Sequence, residues 1–97
     1  MKVRFFLIAE IELGEAIEYY NFQLPSLAHQ FYSEISNGID RIIQYPDAWT
    51  KIGKRVRRYL IKQFPYAIYY VHDGNEIVIV SIAHLHRKPE TFEKRIN

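Results

Sequence analysis

Ile77-Val78-Ile79-Val80 is the feature that most constrains how this chain folds: four consecutive β-branched residues with no polar residue between them. Side chains of a strand point alternately to its two faces, so a run that is apolar at every position needs cover on both sides and belongs near the centre of a sheet. The run sits inside Glu76–His84 (EIVIVSIAH), directly after Asp73-Gly74-Asn75, whose residues tolerate positive φ. Before that turn, Tyr66–His72 (YAIYYVH) is aromatic and β-branched, and Phe64-Pro65 fits a strand entrance, where a missing N–H is harmless. The two runs predict a β-hairpin. Upstream, Val56–Lys62 mixes β-favouring Val, Tyr and Ile with Arg57, Arg58 and Lys62, which predicts a third strand with a wet, basic face.

The N-terminal half changes period. Val3, Phe5 and Leu7 alternate with Arg4, Phe6 and Ile8, the pattern of a short strand. From Ala9, the residues Leu13, Ala16, Ile17, Tyr20 and Leu24 recur every three or four positions, which predicts a helix. Leu24-Pro25-Ser26 breaks it, and Leu27, Ala28, Phe31, Ile35, Ile39, Ile42 and Ile43 mark a second helix from about Ser26 to Gln44, closed by Tyr45-Pro46. Gly38 lies inside that helix at a cost of about 1 kcal/mol relative to Ala, which either close approach to the first helix repays or the helix merely tolerates. A linker with Asp47, Trp49 and Gly53 follows, and Arg87 to Asn97 reads as a polar tail. The expected fold is α+β, ordered β-α-α-β-β-β, with a helical hairpin packed on a twisted, mostly antiparallel sheet. The N-terminal strand is expected to join the other three at the edge or beside them.

At 97 residues and 48% hydrophobic content the chain is expected to form one domain, residues 1–97, around one modest core. It has no cysteine, hence no disulfide and no thiolate metal site. No signal-peptide pattern and no membrane-length apolar run is present, so a cytoplasmic protein is expected, without a membrane, cofactor or small-molecule substrate. Charge is divided unevenly. Residues 1–50 hold three basic and seven acidic residues, a net −4, and the remainder holds ten basic and four acidic, a net +6. One side of the molecule is therefore attractive to nucleic acid or to an acidic protein.

The candidate site residues follow from that half. Lys54, Arg55, Arg57 and Arg58 form the densest cationic cluster, and Arg can grip phosphates or carboxylates bidentately. Neighbouring strand residues face opposite ways, so Arg57 and Arg58 share one surface only if a bulge intervenes. His84, His86 and Arg87 hold the chemistry for general acid–base work on RNA: an imidazole to move the 2′-OH proton and a guanidinium to meet phosphorane charge. The competing role of His84 is to close the core at the strand end. Tyr66, Tyr69 and Tyr70 offer faces for base stacking, or pack across the hairpin as aromatics there more often do. Tyr19, Tyr20, Phe22, Phe31 and Tyr32 read as core or partner-facing, and no metal site is expected.

Taken in order, Glu15-Ala16 and Tyr19-Tyr20, a second helix closing at Pro46, then Arg58, Phe64-Pro65-Tyr66, Ile68, Tyr70, Ile79, Ile82, His84 and Arg87 give the chain a whole-length resemblance to the RelE/ParE family of bacterial toxin-antitoxin toxins, and to its ParE branch in particular. The resemblance implies a compact toxin neutralised by a cognate antitoxin. Members resembling RelE cut mRNA on the ribosome; those resembling ParE are associated with poisoning of DNA gyrase. Where the ribonuclease branch tends to carry Arg, this chain has Ala67, and where that branch often ends with a catalytic Tyr, here stands Phe92, which has no proton to give. Both departures favour gyrase inhibition, with Lys54, Arg55, Arg57, Arg58, Tyr66 and Arg87 as target- or phosphate-binding residues. The alternative is a ribosome-dependent endoribonuclease using His84, His86, Arg87 and Arg57 or Arg58. A third is a non-toxic family member acting as a binding module.

Overall fold

In the computed structural model, which describes residues 1–87 and 90–96 (all but the side chain of Glu90), the chain runs β1 (Lys2–Phe5), α1 (Leu7–Gln23), α2 (Pro25–Gln44), β2 (Thr50–Lys51), β3 (Arg57–Leu60), β4 (Tyr66–Asp73), β5 (Glu76–His84) and α3 (Glu90–Lys94). The strands form one sheet in the order β1-β5-β4-β3-β2. All pairings are antiparallel except β1 with β5, where Val3 lies opposite Ile77 and Phe5 opposite Ile79. The N-terminal strand is thus an edge, and β5 is flanked on both sides along its first half.

The unbroken apolar run is covered twice, as its pattern requires. Ile77 and Ile79 face the helical hairpin with Ala16, Phe31, Ile35 and Ile42, while Val78 and Val80 face the opposite side with Val56, Tyr69 and Phe92. The β4–β5 turn needs its glycine, since Gly74 has φ +60°. Opposite the Tyr69/Tyr70 step the ladder slips: Tyr69 pairs with Ser81 and Tyr70 with Ile79, so Val80 has no partner of its own and forms a bulge.

The two helices are joined by Leu24 alone. Its extended backbone (φ −167°, ψ 120°) is what the following Pro25 demands, and Pro25 then occupies the first turn of α2, where its missing N–H goes unused. Tyr20, Phe31, Phe64 and Tyr66 close the core below this corner, with ring centroids 4.9–6.2 Å apart. Three expectations are corrected. Gly38 approaches the sheet and not α1, for a Cβ there would lie 2.8 Å from the Tyr59 ring and 2.9 Å from Ile68. The linker after Pro46 contributes β2 as the far edge strand. The polar tail folds back as α3, because Phe92 is fully buried and stacks on Tyr69 at 4.1 Å between ring centroids; Lys88, Pro89 and Asn97 of that tail lie outside the described residues.

Candidate functional site

The cationic residues are distributed by strand alternation, with no bulge between Arg57 and Arg58. Arg57 lies on the helix side of the sheet, opposite Tyr70. Its guanidinium donates to the Trp49 carbonyl at 2.8 Å and stands 3.9 Å from Asp47. Tyr70, whose hydroxyl donates to the Pro46 carbonyl, has its pKa pushed up to about 12 by burial. Arg58 lies on the other side, opposite Tyr69, and its Nε is buried without a hydrogen-bond partner among the described residues. Lys54 and Arg55 are exposed in the turn leading into β3. That turn is pinned by the carboxylate of Glu93, which accepts from the N–H groups of Arg55 (2.9 Å) and Val56 (2.8 Å); these bonds lower the Glu93 pKa. The Arg55 guanidinium also donates to the Ile96 carbonyl at 2.9 Å.

Tyr66, His84, His86 and Arg87 gather at the opposite end of the β4–β5 ladder, where Tyr66 pairs with His84. The Tyr66 ring meets the His84 ring edge-on at 5.4 Å, and His84 stacks on His86 at 4.7 Å, even though His86 has already left the strand. The His86 N–H donates to Nδ1 of His84 at 3.3 Å. A cleft of about 250 Å³ lies between Tyr66, His84 and Arg87 and the α1 residues Glu15, Ala16 and Tyr19. Arg57 stands four rungs up the ladder from this group, roughly 13 Å along the strand on the same, helix side. Arg58 and Arg87 both act on Tyr69, which stacks on Phe92; the Arg87 guanidinium is 5.9 Å from the Phe92 ring centre. Burial raises the Tyr69 pKa, and the charges of Arg58 and Arg87 oppose it.

Sequence reasoning missed Glu12. Since β1 ends at Phe5, the second half of β5 has an open edge, and α1 crosses it. Glu12 accepts from the N–H of Ile82 (3.2 Å) and from Ser81 Oγ (2.8 Å) there, and meets Arg95 with both oxygens at 3.1 and 3.0 Å. Arg95 in turn donates to the carbonyl of the bulged Val80 at 2.8 Å. One fork-to-fork ion pair therefore satisfies the free edge of a central strand. Arg87 adds a third contact to Glu12 at 3.0 Å. Burial raises the Glu12 pKa, but the bonds from Arg95, Ser81 and Ile82 and the Arg95 charge outweigh it, and the carboxyl is held below its ordinary value. A signal existed: Glu12 is three residues after Ala9 and four before Ala16, on the buried stripe itself.

No group of three or more His, Asp or Glu side chains among the described residues is placed to hold a metal ion, and no described helix is long and apolar enough to cross a membrane. A family model described as the ParE toxin of type II toxin-antitoxin systems, parDE, matches residues 4–89. A solved structure described as a chromosomal ParDE TA system from P. aeruginosa has the same fold, with a TM-score of 0.75 and 18% identity over 87% of this chain and 95% of that one. Comparison with curated protein sequences returns no match.

Proposed function

Because this chain belongs to the ParE toxin family of type II toxin-antitoxin systems, we propose that it is a cytoplasmic toxin that inhibits DNA gyrase by binding, without cutting RNA, and that a cognate antitoxin silences it. The observation that carries this reading is Phe92, which is buried against Tyr69 and has no proton to transfer; Arg57, besides, lies four rungs along the ladder from His84. Lys54, Arg55, Arg57, Arg58, Tyr66 and Arg87 are the target-binding residues of this reading. Supercoiling by purified gyrase tests it: inhibition at micromolar toxin is expected, and full supercoiling at that concentration refutes it.

The antitoxin of this reading lies along the groove between α1 and α2, an apolar hollow of about 410 Å³ lined by Phe5, Leu13, Ile17, Ile35 and Ile39. Exposed Leu7, Ile11 and Phe22 extend the apolar surface of α1 around it. Where the antitoxin crosses β3 it carries acidic residues, so its association rate falls between low and physiological salt. A salt-insensitive rate contradicts that electrostatic part.

One observation favours a second reading. His84, Tyr66 and Arg87 do share a cleft, with His86 stacked on His84, which is the nucleus of an acid–base site. Under this reading, primer extension on mRNA after toxin induction shows codon-positioned cuts that His86→Ala abolishes; a pattern identical to the uninduced control excludes it.

A further inference from the structure

Two hollows meet at the hairpin end of β4 and share Arg55, Val71 and Asp73. The first, about 290 Å³, has a floor of Phe6, Val71, Val78 and Ile96 between Arg4 and Arg95. The second, about 230 Å³, is rimmed by Lys51, Lys54, Arg55 and Arg57 and also by the carboxylates of Asp47 and Asp73. Arg57 is held by Trp49 and Asp47, but Lys51, Lys54 and Arg55 make no ion pair with any carboxylate among the described residues. The result is a pocket with an apolar floor that includes an aromatic ring, walled by polar side chains, beside a pocket with three cations that pair with no carboxylate among the described residues, one of which, Arg55, donates to the Ile96 carbonyl at 2.9 Å.

We propose that this double trough binds a nucleoside phosphate unit, as carried by single-stranded nucleic acid or by a free nucleotide. The phosphate sits among Lys51, Lys54 and Arg55, and the base lies over Phe6 and the valine floor. This pairing of chemistries is what separates a nucleotide from an acidic peptide: a carboxylate side chain brings charge without a flat apolar body at its side. It also separates a single strand from a duplex, in which base faces are already stacked on their neighbours. The trough is distinct from the His84 cleft at the far end of the ladder. It goes beyond the gyrase reading and is measured with no gyrase present, so either proposal can fail alone.

The test is fluorescence anisotropy of the full chain with a labelled oligothymidylate, competed by unlabelled ATP, by duplex DNA and by polyglutamate. Saturable binding is expected, weakening roughly 20-fold between about 50 and about 200 mM salt, as three phosphate contacts on a single strand require. Lys51→Glu/Lys54→Glu, two exposed side chains in no ion pair among the described residues, lowers affinity by about tenfold or more, while the distant Lys62→Glu leaves it unchanged. Phe6→Leu weakens binding through the base alone and leaves the salt slope as it was. Displacement by ATP identifies the free nucleotide as sufficient; displacement only by single strands identifies the polymer as the ligand. The proposal is overturned by absence of binding, by equal losses in the Lys62→Glu and Lys51→Glu/Lys54→Glu proteins, or by polyglutamate competing as well as the oligonucleotide.

Discussion

Glu12→Ala is the most informative single perturbation of this fold. It removes the one carboxylate that meets Arg95, Ser81 Oγ and the Ile82 N–H at the open edge of β5, and leaves Arg95 almost enclosed with its charge unanswered. The side chains of Glu12 and Arg95 are only 10% and 13% exposed, so water supplies little compensation. Breaking a buried pair from one side costs about 3–5 kcal/mol. For a domain of this size that lowers Tm by at least about 12 °C. Arg95→Ala should cost a similar amount, because it strands the carboxylate and the Val80 carbonyl together. The double variant Glu12→Ala/Arg95→Ala has no lone charge, so it should fall short of the summed single losses by about 2 kcal/mol. Arg87→Ala is the control: its side chain is 46% exposed, and its contact with Glu12 is worth less than about 1 kcal/mol. Urea unfolding of the four variants followed by circular dichroism gives all these quantities. A coupling below about 0.5 kcal/mol, or an Arg87→Ala loss equal to that of Arg95→Ala, refutes the edge-plug account.

Acid should destabilise the protein in a defined window. Glu12, Asp47 and Glu93 all have lowered pKa values when folded, so the unfolded chain binds more protons, and the stability they contribute, complete above the ordinary carboxylate range, is lost as pH falls below it through the folded values. The urea midpoint should drop accordingly, less steeply in Glu12→Gln; an unchanged midpoint on acidification contradicts it. At the alkaline end the sign reverses: with Tyr70 raised from 10.0 to about 12, stability falls as pH rises between those values, which difference absorbance of phenolate reads directly. Gly38→Ala should lose about 1 kcal/mol in spite of its better helix propensity, since the new methyl must displace Tyr59, whose hydroxyl is held by Arg41, and Ile68; a gain in stability would show that the contact relaxes freely. Glu93→Ala should cost about 1–2 kcal/mol and increase hydrogen exchange at the amides of Arg55 and Val56, the two donors it leaves without an acceptor.

What was legible in the sequence was local. The Ile77–Val80 run announced a doubly covered strand because every position was apolar, Pro25 announced the helix corner because it restricts the residue before it, and Asp73-Gly74-Asn75 announced the turn; each signal lies within the element it specifies. The C-terminal segment was illegible for the complementary reason. Within Glu90–Lys94 only Phe92 is apolar, and five residues give no helical period to read. Its position is fixed by partners far away in the chain: Glu93 to the turn at 55 and 56, Arg95 to Glu12 and Val80, Phe92 to Tyr69. The charges followed the same division. Strand alternation foretold that Arg57 and Arg58 would part, but their different surroundings, a carbonyl and an aspartate for one and a buried face beneath α3 for the other, depend on where β2 and α3 return.

Those long-range contacts bind the cationic end of the protein to its stability. Ile96 helps floor the trough, Glu93 shapes the turn that presents Lys54 and Arg55, and Arg95 fastens the same segment to α1 through Glu12. The acidic N-terminal half thus supplies the carboxylate that orders a basic C-terminal surface. A partner that competes for Arg95 or Arg87 with acidic groups of its own would loosen this anchor and alter the trough without touching Lys51 or Lys54. The structural cost of such competition is set by the Glu12–Arg95 coupling, so the mutant cycle that measures the edge plug also bounds how tightly the anchor can resist an acidic partner.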